Sequence, residues 1–244
     1  MDGDFKPYDV AKSADRIKEI LGRPSTSFEE VDSLPDRDDL TFTNGFYGKA
    51  SAIFVDIRDS SGMTDKYKRP KLAKIYRTFI SEMVAVLNSV AVVREVNIVG
   101  DCVWAVYNTP YKSDVDAVFD AATRANTLIK LLNHYFELNS IDPVSVGIGM
   151  EFGRALMIKA GYSGSGINEV VYMGDVVNRA AHLAHEAGRG WWTPPMYIGS
   201  DFHTNLKPSN AAFCTLGSIA GIGSIYTANV VNVSMNDYVE ALKS

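Results

Sequence analysis

Between residues 51 and 162 the spacing of apolar side chains switches between the period of a strand and that of a helix. The order is strand, helix, strand, strand, helix, strand. Few folds accept that order. It is the split βαβ, ferredoxin-like pattern, βαββαβ, and it places the chain in the α+β class. ASAIFVDI opens the compact region near Ser51 as a buried strand. A helix over roughly 71–90 carries Leu72, Ile75, Tyr76, Phe79, Met83 and Leu87 on one stripe, with Pro70 suited to its first turn. VAVVREVNIVG and DCVWAVYN read as two strands joined at Gly100-Asp101. A second helix, about 114–138, aligns Val118, Ala122, Ala125, Ile129, Leu132 and Phe136.

PVSVGIGMEFG and RALMIKAGY read as a further strand pair, and residues 169–187 as a strand, a turn at Gly174 and a helix. The C-terminal third is strand-rich, adding strands to the core pattern. Ahead of the core, Ser13 is the expected cap of a short helix, ADRIKEIL, and SFEEVDSLPDRDDL is an acidic connector broken by Pro35. The expected division is an N-terminal arm at 1–48, one domain at 49–235 and a C-terminal tail at 236–244.

Charge and cysteine usage narrow the function. A net charge of −5 argues against general nucleic-acid binding, which favours a basic face. The two cysteines, Cys102 and Cys214, have no metal-ligand spacing, and Cys102 sits inside an apolar strand as a reduced thiol would. The start, MDGDFKPYDV, lacks the basic and apolar regions of a secretory signal, and no run is long and apolar enough for a membrane span. A cytoplasmic protein is expected, with no membrane partner.

Two segments carry the chemistry, FVDIRDSSGMT at 54–64 and NIVGDCVWAVY at 97–107. Each apolar run delivers one aspartate, Asp56 or Asp101, to a strand end or a turn. Two carboxylates presented this way suit a divalent metal bound to a nucleoside triphosphate. The turn formed by Arg58, Asp59, Ser60 and Ser61 can present successive backbone N–H groups to phosphate oxygens.

FVDI, then VGD, then GDVVNRAAHL resembles the catalytic domain of class III nucleotide cyclases, over roughly residues 50–232. The resemblance implies a ferredoxin-like cyclase core and a head-to-tail homodimer with composite active sites. It implies that Asp56 and Asp101 hold two Mg²⁺ or Mn²⁺ ions, assisted by the Ile57 carbonyl. One ion would activate the ribose 3′-hydroxyl and the other would bind the triphosphate. From the other protomer, Asn178 matches the asparagine that orients the ribose. Four residues later the family carries a transition-state arginine, where this chain has His182. A protonated imidazole supports developing charge less reliably than a guanidinium. Arg179 points about 100° away around the helix and is a weaker substitute.

The base-reading positions depart from the family. Where relatives carry a lysine for adenine or a glutamate for guanine, this chain has Asn97, and the partner position is Val171. A phosphate-contacting lysine expected in SIAGIGSIY is replaced by Ala220 or Ile222. Two readings follow: a cyclase for a smaller pyrimidine base, or a module that binds nucleotide without turning it over. An adenylate or guanylate cyclase with atypical readers is the remaining alternative. The chain is most similar to the bacterial pyrimidine cyclases of anti-phage (Pycsar) systems, which make cUMP or cCMP for a partner effector. UTP is slightly favoured over CTP, although Asn97 both donates and accepts and so fits either. Arg58 either reaches the nucleotide or ends its strand in solvent. Trp104, Tyr162 and Tyr172 either flank a base or fill the core.

Overall fold

The computed structural model describes residues 5–24, 27–162, 167–190 and 192–243. Helix α1 (Val10–Leu21) is capped by Asp9, whose carboxylate accepts the N–H groups of Ala11 and Lys12 at 3.0 and 3.1 Å. Ser13, the expected cap, lies inside the helix. Its own amide is already satisfied by the Asp9 carbonyl at 3.0 Å. The acidic connector contains a strand, β1 (Phe28–Val31), which pairs in parallel with the start of β2 (Gly45–Ile57). The boundary expected at 48/49 therefore falls inside β2.

After β2 come α2 (Ser60–Lys66), α3 (Arg69–Leu87), the hairpin of β3 (Val93–Val99) and β4 (Cys102–Asn108), and α4 (Lys112–Leu138). Next are β5 (Val146–Tyr162), β6 (Ile167–Met173) and α5 (Asp175–Glu186). The chain continues through β7 (Met196–Gly199), α6 (Ser200–Thr204), α7 (Pro208–Ala211), β8 (Thr215–Ile219), β9 (Gly223–Ala228) and α8 (Val233–Ala241). Residues 236–241, expected as tail, belong to α8, whose Val239 is buried.

Among the described residues the strands form one open mixed sheet in the order β3-β4-β2-β5-β7-β9-β8, with β1 beside β2 and β6 beside β5. Its β5-β2-β4-β3 portion is the antiparallel ferredoxin-like core expected from the βαββαβ order. The expected pair at 143–162 is instead a single strand. Gly153 pairs with Ala50 and Arg154 with Lys49, because β2 is long enough to supply a partner for every residue from Val146 to Ile158. A glycine among apolar residues resembles a turn, but here the ladder runs straight through it.

Alternation along the strands assigns the two faces. Ile53, Val55, Ile57, Val103, Ala105 and Tyr107 meet α3 and α4 in the main core. The predicted helical stripe is mostly there: Ile75, Phe79, Met83 and Leu87 are fully buried, each contributing about 1.5–3 kcal/mol by leaving water. Helix α5 lies on the opposite face, and it comes very close. A Cβ on Gly149 would overlap the Ala180 carbonyl and the Ala184 amide of α5. One on Gly147 would meet the Ala184 carbonyl and the Arg58 guanidinium. Ala180 and Ala184 are buried against this glycine track. Gly149→Ala is expected to lower the unfolding free energy by about 3 kcal/mol, because the obstruction is backbone and cannot swing aside. Urea denaturation measures it, and a loss below about 0.5 kcal/mol would mean that α5 lifts away at little cost.

Candidate active site

Strand β2 carries Asp56 at its penultimate position, and the ladder sets Asp56 opposite Cys102 on β4 and Gly147 on β5. Asp101 precedes Cys102 in the β3–β4 turn, which Gly100 closes with φ +63°. Two strands thus bring both expected carboxylates to one sheet end. Burial pushes the Asp56 carboxyl above its ordinary range. The Arg58 guanidinium opposes that shift, and the Asp101 charge adds to it. Burial raises the Cys102 thiol to about 12, with Asp56 and Asp101 adding to the effect. Excess negative charge in a partly dry site is the setting that a divalent cation relieves. Among the described residues no group of three or more His, Cys, Asp or Glu side chains could hold a metal ion, so any ion here would draw on the carboxylate pair and backbone oxygens such as that of Ile57.

Arg58 does not extend into solvent. Its side chain is 12% exposed, its Nη2 lies 3.4 Å from Asp56 Oδ2, and its Nη1 donates to the His185 carbonyl at 2.9 Å. Nη2 also donates to the Ala184 carbonyl. The guanidinium therefore satisfies carbonyls at the C-terminal end of α5, where a cation is favoured by the helix dipole, and it holds Asp56 at the same time. Asp59 adopts a left-handed conformation (φ 55°) and precedes α2. Its carboxylate folds over Gly62, 2.7 Å from where a Cβ there would stand. Ser60 and Ser61 open α2, and the Ser60 carbonyl accepts the Tyr76 hydroxyl at 3.4 Å. Asp101 raises the Tyr76 phenol after burial does. Tyr76 had been legible only as part of a core stripe. Its hydroxyl in fact borders the 58–61 turn.

Asn178 and His182 are exposed on α5. Arg58 grips that helix at residues 184 and 185, about 10 Å along the axis from Asn178 at 1.5 Å per residue. Within one chain Asn178 therefore stands a turn and a half or more along the helix from the Asp56 end. Asn97 pairs with Trp104, which pairs with Phe54, so Asn97 shares the sheet face of Asp56. Val171 pairs with Ile158 and lies on the other face. Its neighbour Tyr172 lies on the face of Asn97. Trp104 stacks on Phe54 (4.9 Å, 3°), and both lie partly buried against the cluster in which Tyr172 is buried, so Tyr172 is core and Trp104 borders it. The Tyr162 side chain lies outside the described residues.

A family model for the adenylate and guanylate cyclase catalytic domain matches residues 43–190. The chain belongs to that cyclase family. A uridylate cyclase of Gulbenkiania mobilis is 38% identical over the whole of both chains. A uridylate cyclase of Treponema porcinum is 32% identical, covering 95% of this chain and 81% of its own. A solved class III adenylyl cyclase-like ATP-binding protein from Pseudomonas aeruginosa is similar in fold, with TM-score 0.70 and 16% identity over 96% of this chain and 49% of that one. As a family member this chain is a nucleotide cyclase. No described helix is long and apolar enough to cross a membrane.

The raised Asp56 carboxyl has a pH signature. A carboxyl whose folded value lies above its unfolded one favours folding while it is protonated, and the advantage is lost as pH rises through the ordinary carboxylate range to the raised value. Metal-free Asp56→Asn is therefore expected to melt above wild type at pH 7.5 and to converge with it in acid. Mn²⁺ should raise the melting temperature of wild type and leave the variant unchanged. Thermal scans from pH 4 to 8 test this, and a variant less stable than wild type at pH 7.5 would contradict it.

Proposed function

We propose that this cyclase converts UTP to 3′,5′-cyclic UMP and pyrophosphate at composite sites of a homodimer. Full-length identity to a uridylate cyclase carries the choice of base, and it agrees with the uncharged Asn97 in the base-reading position. CTP is the second candidate, because the Asn97 amide offers both a donor and an acceptor.

The residues divide the work as follows. Asp56, Asp101 and the Ile57 carbonyl would hold two divalent ions, and a partly buried Asp56 with the Asp101 charge beside it fits that load. Bound there, Mg²⁺ or Mn²⁺ would supply Lewis-acid activation of the ribose 3′-hydroxyl and neutralise charge on the triphosphate. The 3′-oxygen attacks the α-phosphorus in line and pyrophosphate leaves, a reaction governed by positioning and charge. Ser60 and Ser61 at the start of α2 face the phosphate chain. Arg58 keeps Asp56 oriented. The partner's α5 supplies Asn178 to the ribose, with His182 one turn further on.

The exposure of Asn178 and His182 on α5, with Asn178 about 10 Å along the axis from the Arg58 contact, supports shared sites between two copies. The product would serve a separate cyclic-nucleotide effector in anti-phage defence, as in the Pycsar systems that the sequence resembles. The purified protein with Mn²⁺ is expected to make cUMP faster than any product from CTP, ATP or GTP, as identified by mass spectrometry. Asp56→Ala and Asn178→Ala proteins, each inactive, should regain about a quarter of wild-type activity when mixed in equal amounts, from the one intact site in each mixed dimer. A purine product would overturn the base assignment. No recovery despite verified subunit exchange would overturn the shared site.

A further inference from the structure

A groove of about 810 Å³ runs between α5 and the β8–β9 turn, lined by Arg179, His182, Glu186, Tyr197 and residues 218–222. Arg179, His182 and Glu186 stand at i, i+3 and i+7, so they form one stripe along the helix. Arg179 carries the only permanent positive charge on this lining. The opposite wall is Ser218 to Ile222, where no cation stands. The helix wheel turns Arg179 about 100° from Asn178, and the fold opens that side, with His182, onto the groove.

Arg179 is aimed by a buried acid. Glu151, in the apolar run GIGMEFG of β5, has a side chain only 3% exposed, and its Oε2 lies 3.0 Å from Arg179 Nε. Neither of those two atoms completes a hydrogen bond with good angles, and Arg179 remains 41% exposed. Oε1 accepts the Phe152 N–H at 3.1 Å. On the far side the carboxylate fills the space where a Cβ of Gly199 would stand. Glu151 therefore has no room to move. Burial pushes its carboxyl up, and the Phe152 N–H and the Arg179 charge oppose the shift. The Arg179 fork is tethered through Nε, and among the described residues its two Nη groups have no acceptor. That is the state of a guanidinium ready for a bidentate phosphate contact.

We propose that Arg179 contacts the reacting phosphates of the site it shares with the partner subunit, across the groove from residues 218–222 that lack the expected lysine and in place of the transition-state arginine absent at position 182, and that Glu151 is the positioning residue that holds it. This rests on the cyclase reading above. The test is steady-state kinetics with Mn²⁺ and UTP, together with UTP binding by calorimetry, well below the melting temperature of each variant. Arg179→Ala is expected to lower kcat/KM about 100-fold, of which about tenfold is weaker UTP binding. Arg179→Lys should restore most of the binding and little of the kcat, since it keeps the charge and loses the fork. Glu151→Gln should leave binding within about threefold and lower kcat about tenfold. Mixing Arg179→Ala with Asp56→Ala should recover activity, because one site in the mixed dimer has both residues.

A merely structural ion pair would lower the melting temperature of both Arg179→Ala and Glu151→Gln while leaving kcat unchanged, and that result overturns the proposal. So does a lack of recovery on mixing, which would put Arg179 at the site of its own chain. If wild type cyclises no triphosphate, the cyclase reading fails. Calorimetry still decides Arg179 in that case, because UTP affinity unchanged by Arg179→Ala overturns the inference.

Discussion

Helix α5 rests on β5 with glycine where a sheet would ordinarily present side chains, and the geometry of the candidate site depends on that contact. With Gly147 and Gly149 beneath it, the helix backbone sits within reach of residues that otherwise could not touch it. Arg58 closes the C-terminal end of α5, and Glu151 pairs with Arg179 near its N-terminal end. A methyl group on either glycine would overlap the helix backbone between those two contacts. The track resembles the small-residue seams that let backbones approach in other packed helices, but here the approach also places polar chemistry.

The carboxylate pair is arranged on the opposite logic. Asp56 and Asp101 gain nothing from each other, and burial penalises Asp56 further. The fold offsets this only in part, through Arg58 at 3.4 Å. Partial compensation suits the cation binding proposed for this site. Had the pair been fully neutralised by arginines, a divalent cation would have little charge left to bind.

Much of this was legible in the sequence. The periodicity of 51–162 carried the βαββαβ core, and the paired Asp segments carried the sheet end where both carboxylates stand. What escaped was contact between distant segments. Gly153 looked like a turn because a glycine's role depends on its partner strand, and β2 lies a hundred positions earlier. Arg58 stayed open between nucleotide and solvent because its acceptors are carbonyls of a helix far downstream, and carbonyls leave no trace in a residue pattern. Glu151 did leave a trace, as the single acid in an apolar strand, but its meaning required knowing that Arg179 crosses above it. β1 was hidden in an acidic stretch, FEEV, whose composition argues against a strand until Gly45–Gly48 offers it an edge.

The β2–β5 ladder has a consequence for how the molecule is made. The turn bearing Asp101 joins strands adjacent in sequence, whereas Asp56 gains its β5 neighbour only when segments about a hundred residues apart meet. Local hairpins close quickly and long-range pairs late. The β2–β4 pairing that sets Asp56 beside Asp101 joins segments only about 46 residues apart, so the two acids meet before β5 and α5 enclose Asp56. A cation held by the enclosed pair, as proposed above, would bind the finished protein rather than its precursors, and would act as a clamp on completed molecules and not as a template for building them.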